Sequence, residues 1–191
     1  MKSYPIFILD SFSGCLEIPN GTTFEKADGV VLKMKDGTNR ELMVTRGHIT
    51  NIRDKNVRLI GGVFDLNTTG NLQANGNYDV NPQLWPGIGI VFKGVENLTI
   101  EKIKDIGNEW KYCFLITDVN NFKGNNINMN NGSDARHFQP PLKNVNAENI
   151  FGSIDDDLLS FIMSDYTNYI VGTTGDIENV DIRNVHANDT D

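Results

Sequence analysis

Residues 121–130 read NFKGNNINMN, residues 144–153 read NVNAENIFGS and residues 179–188 read NVDIRNVHAN. Each segment opens with the same phrase, Asn-apolar-x-x-x-Asn-apolar. Looser copies of the phrase begin at Asn56 and Asn97. Internal repetition of this kind indicates stacked structural units, each too small to bury its own apolar face.

The spacing of the copies is nearly constant. Asn97 and Asn121 are 24 residues apart, and Asn121 and Asn144 are 23 apart. The steps of 41 from Asn56 to Asn97 and of 35 from Asn144 to Asn179 correspond to one period plus an insertion. A coil of about two dozen residues is typical of a parallel β-helix.

Apolar and polar residues alternate within each copy, which is the two-residue period of a strand. We therefore predict an all-β chain, a single right-handed parallel β-helix over residues 1–191, with about five to six coils and open ends. Loop insertions are expected near residues 67–86 and 164–175. The repeated asparagines are expected to form a ladder of side-chain amides along the stack. An antiparallel sandwich also contains short alternating strands, but it requires no fixed step.

Composition excludes several classes of partner. The net charge of −8 and the pI near 4.8 argue against nucleic acid and against anionic membrane surfaces. No apolar run is long enough for a transmembrane helix, and Asp10 interrupts the N-terminal apolar run too early for a secretion signal. Cys15 and Cys113 lack the spacing of a zinc site or a disulfide framework, and no cofactor or metal is expected.

Two acidic phrases lie one coil apart. Asn131-Gly132-Ser133-Asp134 is followed, 22 positions after Asp134, by Asp156 and Asp157, which precede an apolar Leu-Leu pair. If the coils are stacked, these carboxylates lie side by side on adjacent strands.

These phrases resemble the active-site coils of glycoside hydrolase family 28, the polygalacturonases, and of their phage-tailspike-like relatives in the pectin lyase-like superfamily. The family has Asn-Thr-Asp-Gly followed one coil later by Gly-Asp-Asp and an apolar strand. The resemblance implies inverting hydrolysis of a polysaccharide such as a pectic or other acidic glycan, with Asp156 as general acid and with Asp134 and Asp157 positioning water. Members of the family are typically extracellular or virion-associated.

Other residues are expected to bind the substrate. Aromatic side chains that stack on sugar rings, together with a nearby histidine, give the candidate set Trp85, His137, Tyr166 and Tyr169. Core packing explains the aromatic residues about equally well.

The chain also departs from the family pattern. Ala135 replaces the family's glycine, Arg136 stands at a normally apolar position, and Asp155 replaces the glycine before the aspartate pair. The Gly-His-Gly and Arg-x-Lys phrases expected after Asp157 are missing, so we expect a shortened member of the family. A charge at Arg136 facing the core would be costly unless an acid paired with it.

Three other interpretations of the sequence remain open. The chain could be a non-catalytic carbohydrate-binding or structural β-helix fragment, the acidic run could be a solvated turn, or the carboxylates could bind calcium. Consecutive strand residues point to opposite faces, so Asp156 and Asp157 can share a site only at a bend or a strand end. Open β-helix ends further predict end-to-end self-association.

Overall fold

The computed structural model describes residues 6–9, 15–71, 86–105, 111–131, 133–165 and 169–188. Within these ranges the chain forms thirteen β-strands and one short α-helix. The strands of the first half are β1 (Ile6–Leu9), β2 (Leu16–Ile18), β3 (Thr23–Glu25), β4 (Val31–Met34), β5 (Met43–Thr45), β6 (Asp54–Ile60) and β7 (Val63–Asp65). Those of the second half are β8 (Ile88–Glu101), β9 (Lys104–Asp105), β10 (Tyr112–Asn131), β11 (Asp134–Ile154), β12 (Ser160–Phe161) and β13 (Ile177–Asn188). The helix α1 (Arg46–Thr50) follows β5, and a single 3-10 turn spans Thr68–Gly70.

All strand pairs among the described residues are parallel, and they form three faces. One face joins β2, β5 and the starts of β8, β10 and β11, and it ends with β12. The second face stacks β3, β6, β8, β10, β11 and β13 in six tiers. The third face joins β1, β4, β7 and β9 to the end of β10. The predicted all-β parallel β-helix is therefore confirmed.

The repeat period sets the strand register. On the second face, equivalent residues of successive copies are directly paired, with Phe122 opposite Leu98 on one side and Val145 on the other. Val57 and Val180 extend the same column in the first and last copies. The four inner members are buried, whereas Val180 on β13 is 43% exposed. Parallel strands about 4.8 Å apart thus convert the sequence repeat into one continuous apolar interior.

The predicted asparagine ladder is present. Successive side-chain amides donate Nδ2–H to the preceding Oδ1 over 2.8–3.0 Å, in the order Asn179, Asn144, Asn121, Asn97, Asn56. All five residues have φ between 55° and 65°. Asparagine adopts this left-handed conformation more readily than other side-chain-bearing residues, so one residue type both turns the backbone and bonds the coils together.

The two segments predicted to be insertions lie partly outside the described residues. Of residues 67–86, the segment 72–85 lies outside the described residues, as do residues 166–168 of the second insertion. No helix in the described part of the chain is long and apolar enough to cross a bilayer. The site discussed next lies where the first face meets the insertion that follows β12.

Candidate functional site

Three aspartates converge at the edge of the first face. Asp134 begins β11, and Asp156 and Asp157 lie in the bend between β11 and β12. The backbone N–H of Ala135 donates to the carbonyl of Asp157 over 2.9 Å, which holds the bend against the start of β11. One carboxylate oxygen from each aspartate lies within 4.8 Å of the others. The predicted juxtaposition of acids one coil apart is therefore present.

The strand register differs by one residue from the step of 22 positions between Asp134 and Asp156. His137 pairs with Ser160, a step of 23 residues, so Asp157 rather than Asp156 stands beside Asp134. Because the backbone bends at this point, Asp156 and Asp157 avoid the opposite orientations of consecutive strand residues. Both side chains can then face the same cleft.

A buried histidine lies beneath the aspartate cluster. His137 Nδ1 is 2.7 Å from Asp134 Oδ2, and Nε2 is 2.9 Å from Asp165 Oδ2. The second contact is close enough for charge pairing, although its angles do not meet those of a hydrogen bond. The two contacts connect Asp134 on the cleft wall to Asp165 in the following insertion.

Asp165 is held from two further sides. The Tyr112 hydroxyl donates to its carboxylate at 3.0 Å, and the Tyr112 ring stacks on His137 with centroids 3.7 Å apart. Gln139 Nε2 donates to Asp165 Oδ2 over 3.1 Å and to the Tyr169 carbonyl over 2.7 Å. Side chains on β10 and β11 thus fix the insertion that carries Asp165.

Burial and charge separate the proton affinities of these groups. Burial, and then the charges of Asp134 and Asp157, raise the pKa of Asp156 above that of an ordinary aspartate, against the opposing effect of Lys111. Burial alone would lower the pKa of His137, but its contacts with Asp134 and Asp165 outweigh that effect and raise the pKa. Burial and the Asp165 charge raise the pKa of Tyr112, which stays a neutral donor. Asp156, whose raised pKa favours its protonated form, therefore lies beside Asp134, which the buried His137 ring contacts.

We expect His137→Gln to lower stability most at mildly acidic pH. The pKa of His137 is raised in the folded state, so its stabilising contribution is complete below the unfolded value near 6.5 and is lost as the pH rises through the folded value. Urea unfolding should show a difference from the wild type of about 1–3 kcal/mol at pH 6, shrinking at higher pH. An equal difference at pH 6 and pH 9 would contradict a charged His137.

The exposed side of this cluster opens into a cleft of about 430 Å³. Polar side chains line most of the cleft, and Ile162 lies at one side. The polar lining residues come from the start of β10 and the residue before it, from the start of β11, from the bend after β11, and from β12 and the segment after it: Lys111, Tyr112, Asp134, His137, Asp156, Asp157, Ser160, Ser164 and Asp165. Lys111 Nζ lies 3.3 Å from Ser133 Oγ. Four carboxylates therefore face one lysine and one histidine in the described lining.

The predicted substrate-binding residues have different outcomes. Tyr169 is 1% exposed and packs edge-on against Tyr112 with centroids 5.3 Å apart, so its ring takes part in side-chain packing beside the cleft. His137 lines the floor of the cleft, where its buried ring is engaged by carboxylates. Trp85 and Tyr166 lie outside the described residues.

Sequence reasoning missed three residues that shape the site: Lys111, Tyr112 and Asp165. Tyr112 pairs with Asp134 in the strand register, so the 22-residue step used for the aspartates could have identified it. Asp165 lies in an insertion without repeat periodicity, and only its position after the aspartate bend hints at a role.

Asp134, Asp156 and Asp157 are also the described residues whose oxygens lie close enough together to share a hard cation. Crowded carboxylates can equally relieve their repulsion by keeping one proton, as the raised pKa of Asp156 indicates. The arrangement is thus suited to moving a proton between an acid and a nearby base.

Comparisons with known proteins give little sequence similarity. No family model matches the chain, and no curated protein matches it in sequence. Among solved structures, the chain is similar to a suggested glycosyl hydrolase from Parabacteroides merdae ATCC 43184, at 12% identity and a TM-score of 0.47. The match covers 97% of this chain and 81% of that one.

Proposed function

We propose that this protein is a glycoside hydrolase that cleaves a polysaccharide in the cleft above the three aspartates. The observation that carries the proposal is the cluster itself, with three carboxylate oxygens within 4.8 Å and a raised pKa at Asp156. Glycoside hydrolysis needs one protonated carboxyl and one ionised carboxylate at the same bond, and such a cluster separates the two by electrostatics.

Asp156 is the general acid in this proposal. Its carboxyl O–H protonates the glycosidic oxygen as the C–O bond to the anomeric carbon breaks. A water molecule forms the new C–O bond, and its proton passes to Asp134 or Asp157. Asp134 is positioned for this step because His137 Nδ1, 2.7 Å from Oδ2, fixes its carboxylate at the wall of the cleft.

His137 and Asp165 are positioning residues in this scheme. The His137 side chain is 2% exposed, too buried to carry a proton to and from substrate directly. Its two carboxylate contacts fix the ring, and Tyr112 and Gln139 fix Asp165 in turn. A site supported by such a network holds its reacting groups in place without reorganisation.

The stereochemical course is an expectation from the family resemblance. Inverting enzymes usually keep their two carboxyl groups about 6.5–9.5 Å apart, and retaining enzymes about 5–5.5 Å apart. One carboxylate oxygen from each aspartate lies within 4.8 Å of the others, a spacing nearer to that of retaining enzymes. Proton NMR of the first product anomer distinguishes inversion from retention.

The test is release of reducing ends from a panel of acidic and neutral polysaccharides by the purified protein. We expect time-dependent release from at least one member of the panel, with Asp156→Asn protein purified in parallel as the control for contaminating hydrolases. Binding measured on the same panel separates the alternative function. Saturable glycan binding without turnover in the wild type would favour a non-catalytic carbohydrate-binding protein and overturn the proposal.

A further inference from the structure

A second, apolar pocket adjoins the carboxylate cleft. It encloses about 280 Å³ and shares Ile162, Ser164 and Asp165 with the cleft, so the two lie side by side and are together called the groove. Pockets that enclose a whole small molecule usually measure about 300–1,000 Å³. A pocket of this size is suited to one part of a longer ligand whose remainder lies over the aspartates.

The rim of this pocket exposes large apolar side chains. Met163 is 57% exposed and Ile170 is 52% exposed, and they line the pocket together with Ile162 and Pro140. Apolar side chains that cluster at a concave surface, rather than standing singly, are typical of binding sites. A ligand group that covers them should therefore be apolar.

The charges of the groove disfavour an anionic ligand. The lining of the apolar pocket contains no lysine or arginine among the described residues, and its one acid is Asp165. In the cleft, four carboxylates face Lys111 and His137. A uronate carboxylate placed in this groove would meet like charges without a guanidinium or ammonium partner in the apolar half, which costs binding free energy.

We infer that the apolar pocket is a subsite for an uncharged sugar unit that carries a methyl group, as a deoxy, O-methyl, O-acetyl or methyl-ester substituent. This inference rests on the proposed function only in assuming that the adjoining sugar lies in the carboxylate cleft. It makes the preferred substrate a neutral, methyl-bearing polysaccharide rather than a free polyuronate.

The test measures binding on the Asp156→Asn protein, so that it does not depend on turnover. The probes are galacturonan oligosaccharides of equal length, either fully methyl-esterified or de-esterified, and matched oligosaccharides of L-rhamnose and L-mannose, which differ by one hydroxyl per unit. We expect each methyl-bearing form to bind about 10-fold more tightly than its partner, the usual effect of filling or emptying a small apolar subsite. Saturation-transfer NMR should place the ligand methyl protons against the protein.

Variants then locate the effect. Ile170→Asn should lower affinity for the methyl-bearing probes about 10-fold and leave the other probes nearly unchanged. Ile52→Asn, at an apolar residue that is 65% exposed and lies outside both pockets, is the matched control and should change neither. Both substitutions are at exposed positions, so the fold should tolerate them.

The outcomes separate this inference from the proposed function. Methyl preference without hydrolysis by the wild type would support the subsite and overturn the hydrolase proposal. Hydrolysis with equal or tighter binding of the free uronate would overturn the subsite and leave the hydrolase proposal standing. An Ile170→Asn protein with unchanged preference would also overturn the subsite.

Discussion

Asp156→Asn is expected to lower kcat about 10²- to 10⁴-fold on a natural polysaccharide, the usual contribution of a positioned general acid. The amide keeps the size of the side chain but cannot donate a proton to the leaving oxygen. Asp156 lies in the exposed bend after β11, so the substitution should leave the fold intact. Steady-state reducing-end assays and a far-UV circular dichroism spectrum measure the two effects.

The leaving group provides a sharper readout than the rate alone. The dinitrophenolate group of a dinitrophenyl glycoside leaves without being protonated. The Asp156→Asn protein should therefore lose much less activity on this substrate than on a polysaccharide. The wild type should lose activity as the pH rises through the raised pKa of Asp156, because the acid form is the active one. The variant should lack that alkaline decline on the activated substrate.

Asp155→Asn is the matched control. Asp155 is an exposed neighbour that does not belong to the close cluster, and its substitution should change kcat less than about 2-fold. Equal losses for Asp155→Asn and Asp156→Asn, or an Asp156→Asn protein as active as the wild type on polysaccharide, would remove Asp156 from the role of acid.

The repeat made much of the fold predictable. Each copy places an asparagine at a left-handed position, and the amide ladder from Asn56 to Asn179 requires the coils to stack in register. That stacking brings Asp134 next to the bend that carries Asp156 and Asp157, although 22 positions of sequence separate Asp134 from Asp156. The long-range contact was predictable because the period itself is a long-range constraint.

The repeat period does not predict the other contacts of the site. The bend at Asp156 and Asp157 inserts one residue relative to the simple step and puts Asp157 beside Asp134. Asp165 comes from an insertion, and its position depends on Gln139 and Tyr112, whose side-chain contacts no spacing argument reveals. The burial of Tyr169 was not predictable either, because aromatic composition alone does not distinguish a packed ring from an exposed one.

Arg136 is a charged residue that both the sequence pattern and the structure place in the core, where burial of its charge is expected to lower stability. The sequence places a charge at a core position, and in the structure Arg136 is fully buried on β11, paired in register with Phe114. Its guanidinium nitrogens Nε, Nη1 and Nη2 have no hydrogen-bond acceptor among the described residues. Burial lowers the pKa of Arg136 to about 9 against the opposing electrostatic effect of Cys113, so the side chain remains charged at pH 7 and its burial destabilises the folded state.

We therefore expect Arg136→Met to raise the free energy of unfolding by about 1–4 kcal/mol at pH 7, since methionine retains the apolar length of the side chain without its charge. Arg136 titrates with a lowered pKa in the folded state, so the wild type should gain stability relative to the variant as the pH rises through about 9 towards the unfolded value of 12.5. At pH 10.5 the advantage of the variant should be smaller by about 2 kcal/mol. Urea unfolding at the two pH values measures both quantities.

Two control variants test whether the stability gain of Arg136→Met comes from removing a buried charge or simply from removing an arginine. Arg136→Lys keeps a buried cation and should give no gain in stability, and Arg183→Met, at an exposed arginine on β13, should change stability by less than about 1 kcal/mol. Greater stability for Arg136→Met than for both controls would establish that the core carries an uncompensated charge. An Arg136→Met protein less stable than the wild type at pH 7 would mean that the favourable interactions of the guanidinium, including that with Cys113, outweigh the penalty of its burial, and the electrostatic argument would fail.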